Sequence, residues 1–519
     1  MLQAIKNKIN TPTAAIYPVK MGKTAFYSVL NFILAIPDSI LYCLLFVSLL
    51  VLEYFNFHLN TDAAIQLQTL TNFISGHGIT TTTLNENNLI VYQACSLWPA
   101  GLVVLLTPIY LLTHNPVASF IILKAIGFIF FILFLWRYLI YLQLKDHQRK
   151  FIIFFFFLWA VPVVEFYASD MIATSICLWS FYYFVQYLDN KKPGYLLLSI
   201  FLVASCYFIR YSFLPFLMYP AVAFILKEKR NVFNKTGQLL AIIVCTLVAG
   251  AFFYFLNRLL VGPSQMVTKW DAFTGHAHWR QLSHFVGFLF SFGTYQWFFE
   301  NTIRRIFDIS ITFNWVSLLV TFYFLWILVK AFFREKEYKE NTHLHTSITI
   351  SLSAAALIIG FLSFLTINNP GQVWLKPYWT FVQDTRYYGP VIFIVLINVL
   401  VLFLVKKKGT FLHIIIPIMI LLNLFAYRTI IQSGFWGNNY KSYSLMKNEI
   451  SQQFVKDSAK PSVVYFDKET KNSYYYFYLQ ANGMIMMEKD KMNVNNSKLF
   501  TTYVLEKDSA NSFKIIKVN

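Results

Sequence analysis

Asp62 stands in Asn60-Thr61-Asp62-Ala63-Ala64, at the head of an amphipathic stretch that runs through Gln66, Gln68 and Leu70 to Gly76-His77-Gly78. A carboxylate just beyond an apolar segment can sit at the rim of a cavity facing both lipid and water. There it can take a proton from a hydroxyl or amine as a general base. Aspartate is also a favoured N-cap, so Asp62 reads alternatively as the cap of a helix beginning at Ala63. Glu165 and Asp170 flank the short turn Phe166-Tyr167-Ala168-Ser169. Acids so close to apolar segments are costly unless they face a cavity or a partner. They can orient an acceptor group or hold a divalent cation through carboxylate oxygens. The local alternative is that Asp170, with Ser169, caps the next helix.

The cations form a second set. Arg210 follows an apolar run in Tyr207-Phe208-Ile209-Arg210-Tyr211, and Arg386 precedes one in Gln383-Asp384-Thr385-Arg386-Tyr387-Tyr388. A guanidinium in such a place can grip a phosphate bidentately. It can equally snorkel to the interface, or, for Arg386, pair with Asp384. Lys269, His276, His278, Arg280, Arg304 and Arg305 gather in one long interval, where they could bind a lipid diphosphate or only anionic headgroups.

The elements that position these residues follow from composition. The 519 residues are 57% hydrophobic and 13% charged, which puts the chain in lipid rather than water. Runs such as Ile40 to Tyr54, Leu239 to Phe255, Trp315 to Phe333 and Tyr387 to Val405 approach the ~20 apolar residues a membrane-crossing helix needs. The net charge of +19 sits in short runs between apolar segments, which argues topology and not nucleic acid. With Lys145 to Lys150, Lys191 with Lys192, Lys227 to Lys235, Arg334 to Lys339 and Lys406 to Lys408 inside, the chain makes about eleven crossings. The amino terminus is then cytoplasmic, while a large first loop, about Asn56 to Asn115, and the tail after Tyr427 are external. Trp98 to Leu112 and His284 to Phe299 are expected to lie along or dip into the membrane rather than cross it.

The predicted fold is therefore an all-α polytopic membrane protein with a large external first loop and a small carboxyl-terminal α/β domain. Residues 1–427 form the membrane part and 428–519 the external domain, with strands expected at Val463 to Phe466, Tyr474 to Leu479, Leu499 to Leu505 and Phe513 to Val518. The five cysteines have no metal-site spacing, and no Walker lysine loop, GxSxG or HExxH is present.

The order of these motifs resembles the GT-C superfamily of membrane glycosyltransferases, notably bacterial relatives of protein O-mannosyltransferases and aminoarabinose transferases. Asp62 occupies the place of the early loop acid of those families, although the second acid of their frequent Asp-Glu pair is absent. Leu70 to Gly78 looks like their leucine-glycine turn, and Trp98-Pro99-Ala100-Gly101 like a degenerate form of a Lys-Pro-Pro-like stretch. Ser169-Asp170, Ile209-Arg210-Tyr211 and Arg386-Tyr387 match three later motifs.

The resemblance implies inverting transfer of a sugar from a polyprenyl-phosphate donor to a glycan, lipid or protein acceptor, at the external face of a bacterial plasma membrane. In that scheme Asp62 is the base, Glu165 and Asp170 position acceptor or metal, and Arg210, Arg386, Lys269 and Arg280 bind donor phosphate. It leaves open whether a divalent cation takes part. The rival classes are a transporter or lipid flippase, whose polar site would lie near the bilayer midplane between repeats, and a non-catalytic scaffold of the same fold.

Overall fold

The computed structural model describes residues 35–262, 314–334, 342–367, 388–427, 462–491, 501–507 and 513–518, with short interruptions inside these ranges. The protein is a polytopic helical membrane protein. Helix α1 (Asp38–Asn56) is followed by α2 (Thr61–Ile74), the hairpin β1 (Thr80–Leu84) and β2 (Ile90–Ala94), and α3 (Gly101–Thr113). Then come α4 (Pro116–Tyr141), α5 (Asp146–Leu158), the one-turn α6 (Val161–Val164), α7 (Ala168–Asn190) and α8 (Pro193–Ile209). A 3₁₀ turn (Tyr211–Met218) leads into α9 (Tyr219–Lys227), and the helical part continues through α10 (Thr236–Val261), α11 (Asn314–Phe333), α12 (Thr342–Ile367) and α13 (Pro390–Val405).

Among the described residues five helices are long and apolar enough to cross a membrane, and further apolar helices are shorter. Their outward faces stay apolar: Leu247, Val248 and Phe255 on α10 are more than half exposed, as a lipid-facing surface requires. Inside, the bundle is aromatic. Phe131 of α4, Phe156 of α5 and Trp159 surround Phe393 of α13, tilted or edge-on, at 4.7–6.3 Å between ring centroids.

Two local devices set the geometry of the region that matters. His114, at φ 50°, ends α3, and Asn115 caps α4 by accepting from the Val117 and Ala118 amides with Pro116 in the first turn. The result is a sharp corner between α3 and α4. Farther along α4, a Cβ on Gly127 would lie 3.0 Å from the Met171 side chain, and the Ser175 hydroxyl donates to the Gly127 carbonyl at 2.8 Å. Helices α4 and α7 therefore meet backbone to backbone beside Asp170.

The large first loop, the interval after α1, carries a helix, a hairpin and a further helix among its described residues. Helix α2 ends as the sequence implies, with Gly76 and Gly78 at φ 83° and 72°, values that glycine adopts without strain. The hairpin that follows was not foreseen. Most of Trp98 to Leu112 lies in α3, with Pro108 inside that helix.

The carboxyl-terminal region holds a four-stranded sheet in the order β4-β3-β5-β6, with β3 (Ser462–Phe466), β4 (Ile485–Glu488), β5 (Thr501–Lys507) and β6 (Phe513–Lys517). The expected strand at Tyr474 to Leu479 is instead helix α14 (Tyr474–Ala481). The reason is topological: β3 and β4 pair in parallel, and a parallel pair needs a crossover that a helix supplies. The strand on the far side of that crossover, β4, is the one the sequence reading missed.

This sheet is seated on the first interval. Leu84 of β1 joins Val463, Tyr465, Ile485 and Val504 in one buried cluster. The Gln68 side chain of α2 donates to the Met484 carbonyl at 3.2 Å, and Gly483, at φ 82°, packs against Thr71.

Candidate functional site

Asp62, Asp170 and Arg210 fall within the described residues; Glu165, Arg386, Lys269 and Arg280 lie outside them, as does 284–299. Asp62 lies inside the first turn of α2, which begins at Thr61. It is half-buried, and its charge complements the helix dipole from that position. The residues after it, Ala63, Ala64 and Leu67, are buried and fix α2 against its neighbours.

Arg210 ends α8. Its amide still donates to the Cys206 carbonyl at 2.8 Å, but its backbone has left the helix for φ −150°, ψ 120°. That break sends the chain into the 3₁₀ turn and the guanidinium toward α7, where Nε meets Asp170 Oδ1 at 2.7 Å. The Arg210 and Asp170 side chains are 6% and 0% exposed, so the pair lies out of water, where Coulomb attraction is strong and the loss of one partner is costly. Asp170 is in the first turn of α7 and faces a cation there. The sequence reading put the two residues in separate roles, and the structure brings them together.

Other segments pack beside this pair, against its chain neighbours. A Cβ on Gly101 would lie 2.4 Å from the Phe208 carbonyl oxygen, so only glycine lets the Trp98-Pro99-Ala100-Gly101 segment approach the end of α8. The Ala100 amide donates to Asn257 Oδ1 at 2.7 Å, and Asn257 Nδ2 donates to the Tyr211 hydroxyl at 3.0 Å. Gly389, three residues after Arg386, has φ 41° and packs 3.0 Å from Thr174 Oγ1 and 3.1 Å from the Phe213 ring, measured from its ideal Cβ position. Segments from four distant stretches of the sequence thus meet around the ends of α7 and α8.

Two residues escaped the sequence reading. Glu53 in the last turns of α1 and Lys124 in α4 form a buried ion pair, and the Lys124 ammonium also donates to the Val164 carbonyl at 2.7 Å. The available signal was a lone charge inside each apolar run, which in a membrane helix calls for a partner. Asn257 gave a weaker signal of the same kind. Among the described residues no group of three or more His, Cys, Asp and Glu side chains is placed to hold a metal ion.

No family model matches the chain, and no curated protein matches it in sequence. The crystal structure of ArnT from Cupriavidus metallidurans bound to undecaprenyl phosphate matches it with a TM-score of 0.51 at 12% identity, covering 92% of this chain and 90% of that one. The chain has an ArnT-like fold. The likeness is one of architecture, across nearly the whole chain, to a protein with which it shares few residues.

Proposed function

We propose that this chain is a GT-C-type glycosyltransferase that moves a sugar from a polyprenyl-phosphate donor to an acceptor at the external face of a bacterial plasma membrane, with inversion. The observation that carries the reading is the convergence of the Trp98–Gly101, Ser169-Asp170, Ile209–Tyr211 and Gly389 segments around one buried arginine–aspartate pair on an ArnT-like fold.

In this mechanism the Asp62 carboxylate removes the proton from an acceptor hydroxyl or amine as that atom attacks the anomeric carbon. The bond from that carbon to the phosphate oxygen breaks, and its electron pair leaves with the polyprenyl phosphate. Arg210, with Arg386, balances the charge that grows on the phosphate. Asp170 aims the Arg210 guanidinium, and Glu165 orients the acceptor. Lys269 and Arg280 hold the donor headgroup. The acceptor class, whether glycan, lipid or protein, is set by the external parts, residues 428–519 among them.

The test is transfer of radiolabelled sugar from native polyprenyl-phosphate sugars in membranes carrying the intact chain or Asp62→Asn at matched expression. Transfer by the intact chain and loss in the variant is the expected result. Full activity in Asp62→Asn removes it as the base, and no transfer by the intact chain across a broad donor panel moves the assignment to a transporter or a scaffold.

A further inference from the structure

Lys124 lies in α4, one turn before the Gly127 crossing with α7, and its ammonium has two anchors. One is the carboxylate of Glu53, in the last turns of α1. The other is the carbonyl of Val164, the final residue of the one-turn helix α6. Carbonyls at a helix end have no partner within the helix, and a lysine there satisfies one of them while matching the dipole. Both anchors lie just ahead of candidate acids: Glu53 is nine residues before Asp62, and Val164 is six before Asp170. The lysine and glutamate side chains are 7% and 9% exposed, so water does not loosen the tie. A buried ion pair adds little net stability over apolar side chains of the same volume. Its physical effect here is to fix the entry of two chain segments against one another.

We infer that Lys124 is a positioning residue: it clamps the end of α1 to the end of α6 and so sets the placement of Asp62 relative to the Asp170–Arg210 pair. The inference rests on the transfer mechanism proposed above. Misplacing a catalytic group by about 1 Å costs up to roughly 100-fold in rate, so the clamp should be read out in turnover rather than in donor affinity.

The experiment uses the full chain in membranes and in detergent, as wild type, Lys124→Arg, Lys124→Met and the neutral pair Glu53→Gln/Lys124→Met. Lys124→Met alone leaves a buried carboxylate unpaired and is expected to fold poorly; the neutral pair removes that charge and is expected to melt within a few degrees of wild type. The expected result is that the neutral pair loses roughly 10- to 100-fold in kcat with the donor KM unchanged. Lys124→Arg, which keeps the charge, retains most of the rate. Hydrogen exchange in the neutral pair should speed up beyond the clamp itself, at 61–64 and at 168–170.

Wild-type kcat in a folded neutral pair overturns the inference, as does a loss of kcat with exchange unchanged in those two segments. A wild-type chain that transfers nothing overturns the glycosyltransferase reading and with it the catalytic part of this one. In that event the exchange difference alone reports whether the clamp exists.

Discussion

Arg210 and Asp170 make each other's burial possible, and each residue's substitution therefore says little without the other. Arg210→Gln removes the cation that faces a fully buried carboxylate and is expected to cost about 3–5 kcal/mol, seen as a lower melting temperature in detergent. The double variant Asp170→Asn/Arg210→Gln removes both charges and should recover most of that loss while transfer stays absent, which separates folding from chemistry. Asp62 is different. It is half-buried in the first turn of α2, so Asp62→Asn should change stability by no more than about 1 kcal/mol while abolishing transfer. Gly101→Ala tests the packing under the site: its methyl would meet the Phe208 carbonyl at 2.4 Å, and overpacking of that kind costs about 1–3 kcal/mol, again measured by thermal unfolding. Residue types were legible at this scale, because a lone acid or arginine beside an apolar run announces itself. Their pairing was not, since nothing in the linear order says that position 210 turns back onto position 170. Glu53 and Lys124 show the limit from the other side: neither was singled out in the sequence, and only their contact marks them as a pair.

The connections between elements carry their own electrostatics. Glu228, just past α9, accepts from Lys191 at 3.0 Å and from Lys235 at 2.5 Å, tying the turn between α7 and α8 to the segment that leads into α10. Partial burial pushes its carboxyl up, but the hydrogen bonds and charges of Lys235 and Lys191 outweigh this and hold it below the ordinary carboxylate range. A carboxyl lowered on folding contributes stability that is present above its unfolded pKa and is lost as pH falls through the folded value. Glu228→Gln should therefore be less stable than the parent by up to about 1 kcal/mol at neutral pH, and the two should converge below about pH 4 in unfolding experiments across that range. The helices that carry these connections were legible from long apolar runs bounded by basic residues. The run Tyr474-Tyr475-Tyr476-Phe477-Tyr478-Leu479 was misread because aromatic residues favour strands. The parallel pairing of its flanking strands, a nonlocal fact, made it a helix.

For the molecule as a whole, the feature with the widest reach is the seat of the carboxyl-terminal sheet on the first interval. Leu84→Ala removes a side chain shared by the hairpin and that sheet; the expected cost is about 2–5 kcal/mol, detectable as earlier proteolytic release of the region beyond residue 461. The polytopic architecture was legible in composition and charge, but this contact was not, because it joins residues at opposite ends of the sequence. It also sets a clock. Gln68 and Met484 are 416 residues apart, and at 5–20 residues per second a ribosome needs roughly 20–80 s to make what lies between them. For that interval the hairpin waits with Leu84 uncovered, so biogenesis of this protein has a late-closing step, during which the early segment depends on a chaperone or on the membrane surface to stay out of trouble.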